Sequence, residues 1–197
     1  MGKAYANRKA EKQRPESDFY RTPECLTWEL IALHVLDRDV PIYEPMVGDG
    51  AISKVLWAHE FSVTCDDIRT TGKDFLKFEG KVPVIVTNPA FSIFTETVQK
   101  CKEVCTDKFI LLGKTNFFAA HNRTVAKTWE GLKDVWVFDR QVDYRTPKNK
   151  KGHFCVGNLV TGWMLWERNW ESPARLHILD VNKYATMGSY DKLKEGV

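Results

Sequence analysis

The sequence predicts an α/β fold in which helices pack on a mostly parallel sheet. Three observations predict it. Short apolar runs rich in β-branched residues recur along the chain, and stretches with helical periodicity separate them. The first such run also ends in a glycine turn that opens directly into a helix. A chain of 197 residues has the length of one domain, and its 43% hydrophobic content is enough for one buried core.

Taken in order, residues 23–36 read as a helix with Pro23 at its start. A strand at 42–46 leads through Gly48-Asp49-Gly50 into a helix at 52–59, where Ile52, Val55 and Leu56 share one face. A second strand at 61–65 ends on Asp66-Asp67. The most strand-like run, 82–86, is closed by Thr87-Asn88-Pro89. A helix at 94–104, a strand at 109–112 and a helix around 123–129 follow. The last two strands, 135–138 and 159–166, have no helix between them and are expected to form a hairpin at the sheet edge. Trp163 and Trp166 alternate with apolar neighbours in the last of these and are expected in the core or on a sheet face. The connection at 139–158 is long and polar, and carries Arg140, Arg145, Lys148, Lys150 and Lys151.

The formal net charge of +3 does not by itself demand a nucleic-acid partner. The charge is unevenly spread, however. Residues 1–16 form a basic arm with Lys3, Arg8, Lys9, Lys12 and Arg14, expected to be flexible, and without the apolar core of a signal peptide. No apolar run is long enough to cross a bilayer. The five cysteines form no Cys-x-x-Cys pair and have no metal-ligand spacing. Reduced thiols in a cytoplasmic protein without a metal are therefore the expectation.

Ligands of open α/β sheets bind at the carboxyl ends of the strands. Here the first strand ends in Glu44-Pro45-Met46-Val47-Gly48-Asp49-Gly50. Gly48 and Gly50 let the backbone turn sharply and approach a ligand. The loop lacks the glycine spacing and the Lys-Ser/Thr of phosphate-cradling motifs. An acid just before it, Glu44, suits a cofactor with a cationic amino group. Asp66 or Asp67 is placed to accept ribose hydroxyls, and Asp74-Phe75 to meet an adenine ring. Taken singly, each feature has a plainer reading, as a turn or a helix cap; the order and spacing of the set point to a cofactor.

Asn88-Pro89-Ala90-Phe91 follows the most strand-like run. An exocyclic amine on a base is a poor nucleophile because its lone pair is delocalised. Two acceptors that hold its N–H groups favour a tetrahedral nitrogen. The Asn88 side-chain oxygen and the Pro89 carbonyl can supply them, and Phe91 can stack on a flipped base. Asn-Pro is also an ordinary strand-closing turn.

These motifs, in this order, resemble the compact DNA N6-adenine methyltransferases of phages and prophages. Tyr20, Thr22 and Pro23, within Asp18-Phe19-Tyr20-Arg21-Thr22-Pro23, resemble that group's N-terminal motif, which lines the methionine end of the cofactor. Glu44 through Gly50 resembles its first cofactor loop, with Asp67, Asp74 and Phe75 at the next positions. Asn88-Pro89-Ala90-Phe91 resembles the catalytic NPPF or NPPY tetrapeptide. Asn122-Arg123, Asp139-Arg140 and Gly162-Trp163-Met164-Leu165-Trp166 also fit, so the resemblance runs from about residue 18 to about 170.

The resemblance implies a Rossmann-like methyltransferase domain at 17–197, with a mostly parallel seven-stranded sheet ending in an antiparallel hairpin. It implies S-adenosyl-L-methionine as cofactor and N6 of adenine in DNA as target. No separate target-recognition domain is expected. Arg123, Arg140, Arg145, Lys148, Lys150 and Lys151 are the candidate DNA contacts. Guanine N2 in RNA, cytosine N4 and protein glutamine remain alternative amines. Ala90, standing where the group has a second proline, keeps open a catalytically weak binding or decoy relative.

Overall fold

The computed structural model describes residues 20–119, 127–142, 144 and 159–180. The expected arm at 1–16, and the candidate contacts Arg123, Arg145, Lys148, Lys150 and Lys151, lie outside the described residues. The elements run α1 (Glu24–Ala32), β1 (Ile42–Glu44), α2 (Ala51–Ala58), β2 (Val63–Cys65), β3 (Val82–Thr87), α3 (Phe94–Val104), β4 (Cys105–Lys114), β5 (Leu132–Phe138), β6 (Thr161–Glu167) and β7 (Arg175–Leu179). Short 3-10 turns lie at Phe75–Lys77, Phe91–Ile93, Thr115–Ala119 and Lys127–Trp129.

The seven strands form one sheet in the order β2-β1-β3-β4-β6-β5-β7. Only β6 runs antiparallel to its neighbours, β4 and β5. The architecture is the mostly parallel α/β sheet expected from the alternation of apolar runs and helices, with the seven Rossmann-like strands that the resemblance implies. Its inner strands are apolar on both faces because both faces are covered. Val84, Val86, Ile110 and Leu112 pack with Leu26 and Leu30 of α1 and with Ile52 and Leu56 of α2. Ile85, Phe109 and Leu111, one residue out of phase, pack with Phe94, Val98 and Cys101 of α3. Trp163 and Trp166 are fully buried and point to opposite faces. Their indole N–H groups donate to the carbonyls of Leu26 (2.7 Å) and Thr128 (2.8 Å), so the burial leaves no unpaired donor there.

The predicted hairpin of the last two strong strand candidates is present as β5 and β6, but it does not form the sheet edge. The edge is β7, which pairs parallel to β5 and has no counterpart in the strand candidates read from the sequence. Arg175 and His177 interrupt its apolar residues, and side-chain ion pairing adds to the parallel ladder that attaches it. Asp134 of β5, 3% exposed, accepts two hydrogen bonds from the Arg175 guanidinium at 2.7 and 2.6 Å. His177 Nε2 lies 2.8 Å from the same carboxylate, and its ring stacks on Trp136. Burial acts to raise the Asp134 carboxyl, but these partners outweigh it and hold the group below the ordinary range.

Gly162 lies where β6 meets β5 closely. A Cβ there would overlap the Trp136 carbonyl oxygen and crowd the Val137 backbone. Gly162→Ala is expected to lower the urea unfolding free energy by about 1–3 kcal/mol through overpacking. The check is a lower urea midpoint at unchanged slope; a wild-type midpoint would mean the two strands part at no cost.

Candidate active site

Strands β1, β2 and β3 run parallel, with Ile42 in register with both Val63 and Val84. Their carboxyl ends therefore open on one side of the sheet. The chain leaves β1 toward β2 on one flank, while β3 lies on the other. The crevice between β1 and β3 is thus a topological switch point, where ligands bind in sheets of this type. A cleft with about 900 Å3 of empty space, its open mouth included, lies there. That is ample for a nucleoside-sized ligand. Of the candidate site residues, Tyr20, Thr22, Glu44, Asp49, Asp67, Asp74, Phe75, Asn88 and Pro89 line it.

The glycine loop has the backbone its composition suggests. Gly48 (φ 56°) and Gly50 (φ 80°) both adopt left-handed conformations that side chains disfavour, and Gly50 caps the start of α2. Asp67 holds this loop from the β2 side: its Oδ2 accepts from the Gly48 N–H at 3.0 Å, and its Oδ1 from the Arg69 N–H at 2.8 Å. Burial acts to raise the Asp67 carboxyl. The two backbone amides and the Arg69 guanidinium outweigh it and hold the group below its ordinary range.

Asp66, the alternative candidate for the ribose, does not line the cleft. Its carboxylate accepts from the Tyr43 hydroxyl at 3.0 Å and pairs with Lys73 at 2.9 Å. Adjacent residues on an extended chain point to opposite faces, so only one of the Asp66-Asp67 pair can face the ligand. Gly48 and Gly50 shape the loop without lining the cleft. Pro23 does not line it either; it is the N-cap residue of α1. Asp74 caps the turn that follows it, accepting from the Leu76 N–H at 3.1 Å, and still borders the cleft.

Glu44 is 1% exposed, and its Oε2 has no hydrogen-bond partner. Burial pushes its carboxyl up to about 8, only partly opposed by Ser53. A buried, unpaired carboxylate oxygen on a cleft wall suits a cationic ligand group.

Asn88 is the second such residue. Its Nδ2 donates to the Tyr20 carbonyl and to the Thr22 hydroxyl, both at 3.0 Å, while its Oδ1 is buried and unpartnered. Arg21 beside them pairs with Asp49 at 2.7 Å, tying the N-terminal segment to the glycine loop. The Phe91 ring is already in contact with other groups. Tyr20 stacks on it at 5.4 Å, Tyr144 meets it edge-on at 6.4 Å, and the Lys114 ammonium lies 4.2 Å from its centroid. Of the six candidate DNA contacts, Arg140 alone is among the described residues, and it is exposed.

Several residues escaped the sequence reading. Met46, Ile68, Arg69, Lys73 and Ile93 also line the cleft. Ile68, directly after the second-strand acids and 60% exposed, was the one with a legible signal. Lys114 reaches Phe91 through the pairing of β4 with β3, and Tyr144 through its hydrogen bond to Thr161 of β6.

Sequence comparison finds no matching family model and no matching curated relative. Solved structures do match. A modification subunit assigned to a type I restriction enzyme of Vibrio vulnificus superposes with a TM-score of 0.62 at 10% identity, over 96% of this chain and 56% of that one. The 23S rRNA methyltransferase ErmE matches at TM-score 0.55 and 18% identity, over 86% and 76% of the two chains. A Listeria monocytogenes protein assigned to the class I S-adenosylmethionine-dependent methyltransferases matches at 0.57 and 10%, over 95% and 74%. The fold is that of class I methyltransferases. The likeness is one of fold, and this chain spans just over half the length of the Vibrio subunit.

Ala90 adopts a backbone conformation that proline would also take. Its φ of −55° and ψ of 128° fall where proline is unstrained. No acceptor for its N–H is found among the described residues. Ala90→Pro is therefore expected to raise stability by about 0.4–1 kcal/mol, by restricting the unfolded chain. Thermal unfolding checks this, and a lower midpoint would reveal a strained fit at the tetrapeptide.

Proposed function

We propose that this chain is an S-adenosylmethionine-dependent methyltransferase acting on an exocyclic amine, N6 of adenine in DNA. The observation that carries the reading is the buried Asn88 Oδ1, which has no partner and sits on the cleft wall beside Pro89. A buried acceptor left open in this way is costly unless a ligand donor meets it. An amine with two N–H groups fits Asn88 Oδ1 together with the Pro89 carbonyl. Two acceptors so placed hold the nitrogen and favour the geometry in which its lone pair is available.

The residues present also fit the cofactor. Glu44 Oε2 would face its ammonium, the Gly48–Gly50 backbone gives close approach, and Asp67 borders the place for a ribose. Ile68 and Phe75 add apolar wall for a flat ring. When bound, S-adenosylmethionine supplies an electrophilic methyl group, and the protein's part is to bind and orient. Restriction-modification subunits among the fold neighbours favour DNA as substrate. The fold likeness to a 23S rRNA methyltransferase supports a second reading, an amine in RNA. Arg140, with Arg123, Arg145, Lys148, Lys150 and Lys151, would supply phosphate contacts that give affinity without sequence selection. The domain is proposed to span 17–197, with the basic arm at 1–16 adding to phosphate binding.

Two outcomes are expected. Methyl transfer from tritiated cofactor, assayed on single-stranded DNA, duplex DNA and RNA, should fall roughly 100-fold or more in Asn88→Ala. Cofactor affinity should be nearly unchanged, because the loss is felt mainly in the transition state. Full activity in that variant would reduce the tetrapeptide to a turn. Cofactor binding without transfer to any nucleic acid, even in the wild type, would favour the decoy reading.

The second outcome concerns pH. The cofactor's ammonium selects the ionised form of Glu44, whose carboxyl is pushed up to about 8 in the free protein. Binding below that pH must therefore release a proton, and affinity should climb toward pH 8. It should level there as the ammonium itself begins to deprotonate, near 7.7–8.0. In the free protein the sign is opposite. The folded carboxyl titrates above its unfolded value, so Glu44 costs stability progressively as pH rises from about 4.5 to about 8. Glu44→Gln should remove both trends and weaken cofactor binding roughly 10- to 100-fold. Calorimetry in buffers of different ionisation enthalpy reads the released proton. No release in the wild type would remove Glu44 from the ammonium site.

A further inference from the structure

The Asn88 side chain is symmetric in shape and asymmetric in chemistry. A half-turn of its amide exchanges an acceptor for two donors at the same place. Which end faces the cleft therefore decides what the cleft can bind, and the decision lies in residues 66 and 68 positions earlier in the chain. Both Nδ2 protons are taken, one by the Tyr20 carbonyl and one by the Thr22 hydroxyl, each at 3.0 Å. In the flipped orientation Oδ1 would face the Tyr20 carbonyl, which can only accept, and two oxygens would oppose each other without a hydrogen. The two Nδ2 donors would meanwhile lose their partners. Thr22 is 4% exposed, so water cannot readily replace it.

We propose that Thr22, with the Tyr20 backbone carbonyl, is a positioning element that locks the Asn88 amide with its oxygen toward the cleft. The cleft then admits a hydrogen-bond donor and turns away a carbonyl. This inference rests on the reading of Asn88 as the acceptor for the target amine. It differs from the role that the resemblance implies for Thr22, which is contact with the methionine end of the cofactor. The same hydroxyl serves a partner within the protein, and an adjacent contact, Arg21 with Asp49, holds the segment in place.

The test has a readout that needs no substrate. The Asn88 side-chain amide protons are identified in nitrogen–proton correlation spectra as the pair missing from Asn88→Ala. In the full wild-type chain they should exchange with solvent well below the rate of exposed asparagine side chains. In Thr22→Val, which keeps shape and loses the hydroxyl, exchange should quicken and kcat for methyl transfer should fall about five- to tenfold, the effect of one neutral hydrogen bond. The KM for cofactor should stay within about twofold of wild type on that same account. Thr22→Ser, which restores the hydroxyl, should restore both slow exchange and kcat.

Rapid exchange in the wild type overturns the lock, and does so even if Thr22→Val fails to fold. A Thr22→Val enzyme with wild-type kcat at saturating cofactor and a raised cofactor KM also overturns it, making Thr22 a cofactor contact only. The lock and the functional reading fail separately. Asn88→Ala with full activity sinks the acceptor role of Asn88. An inactive Asn88→Ala beside an unaltered Thr22→Val sinks the lock alone.

Discussion

The parallel pairing of β1 with β3 is the constraint on which the rest of the site depends. Ile42 and Tyr43 face Val84 and Ile85 in register, so the two strands end side by side. Glu44 closes one, and Thr87-Asn88 closes the other. Hydrogen bonding between two buried strands leaves little freedom to slide, because a shift of one residue would turn every apolar side chain to the wrong face. Ile85 would exchange places with Val84 and Val86, and both packed faces would be lost together. The spacing between the acid and the amide is thus secured by the hydrophobic core and needs no contact between the two groups.

On that base the cleft is polar in an unusual way. Most of its carboxylates are occupied: Asp67 by the Gly48 and Arg69 amides, Asp74 by the turn it caps, and Asp49 by Arg21. These groups build the walls. Glu44 and Asn88 differ, each having a buried oxygen with no partner. Unpaired buried acceptors weaken a fold, and proteins retain few of them. Two of them lie on one cleft, on adjacent strand ends, and on the proposed reading they would meet ligand donors. A cationic donor suits the carboxylate, and a neutral one suits the amide.

Much of the fold was legible in the residues. The apolar runs at 82–86 and 109–112 lie within β3 and β4, and 94–104 matches α3, because continuous apolarity and 3.6-residue periodicity report burial directly. The glycine loop was legible for a backbone reason, since left-handed turns at Gly48 and Gly50 leave few other residues possible. Where tertiary pairing competes with local preference, the reading failed. The helix expected over 23–36 stops at Ala32, and the strand expected from 61 begins at Val63. β7 was missed because Arg175 and His177 interrupt its apolar residues, of which Leu176 and Ile178 stay exposed; its pairing with β5 moves the β5–β6 hairpin inside the sheet.

What the sequence by itself determined is the class of fold and the residues that come to the cleft: a glycine turn behind an acid, a second acid, and an asparagine closing β3. These are local, since each follows from the backbone or burial of a few neighbouring residues. Only the tertiary structure decided how they act. It put Asp67 and not Asp66 on the cleft, with Asp66 held by Tyr43 and Lys73. It set the proline-like conformation of Ala90 without a second proline. It also brought the Tyr20 carbonyl and the Thr22 hydroxyl to the Asn88 amide from more than sixty residues away, so that both partners of Nδ2 come from the N-terminal segment and Oδ1 is left without one. The orientation of an amide depends on which partners surround it, and those partners are assembled only when the chain folds.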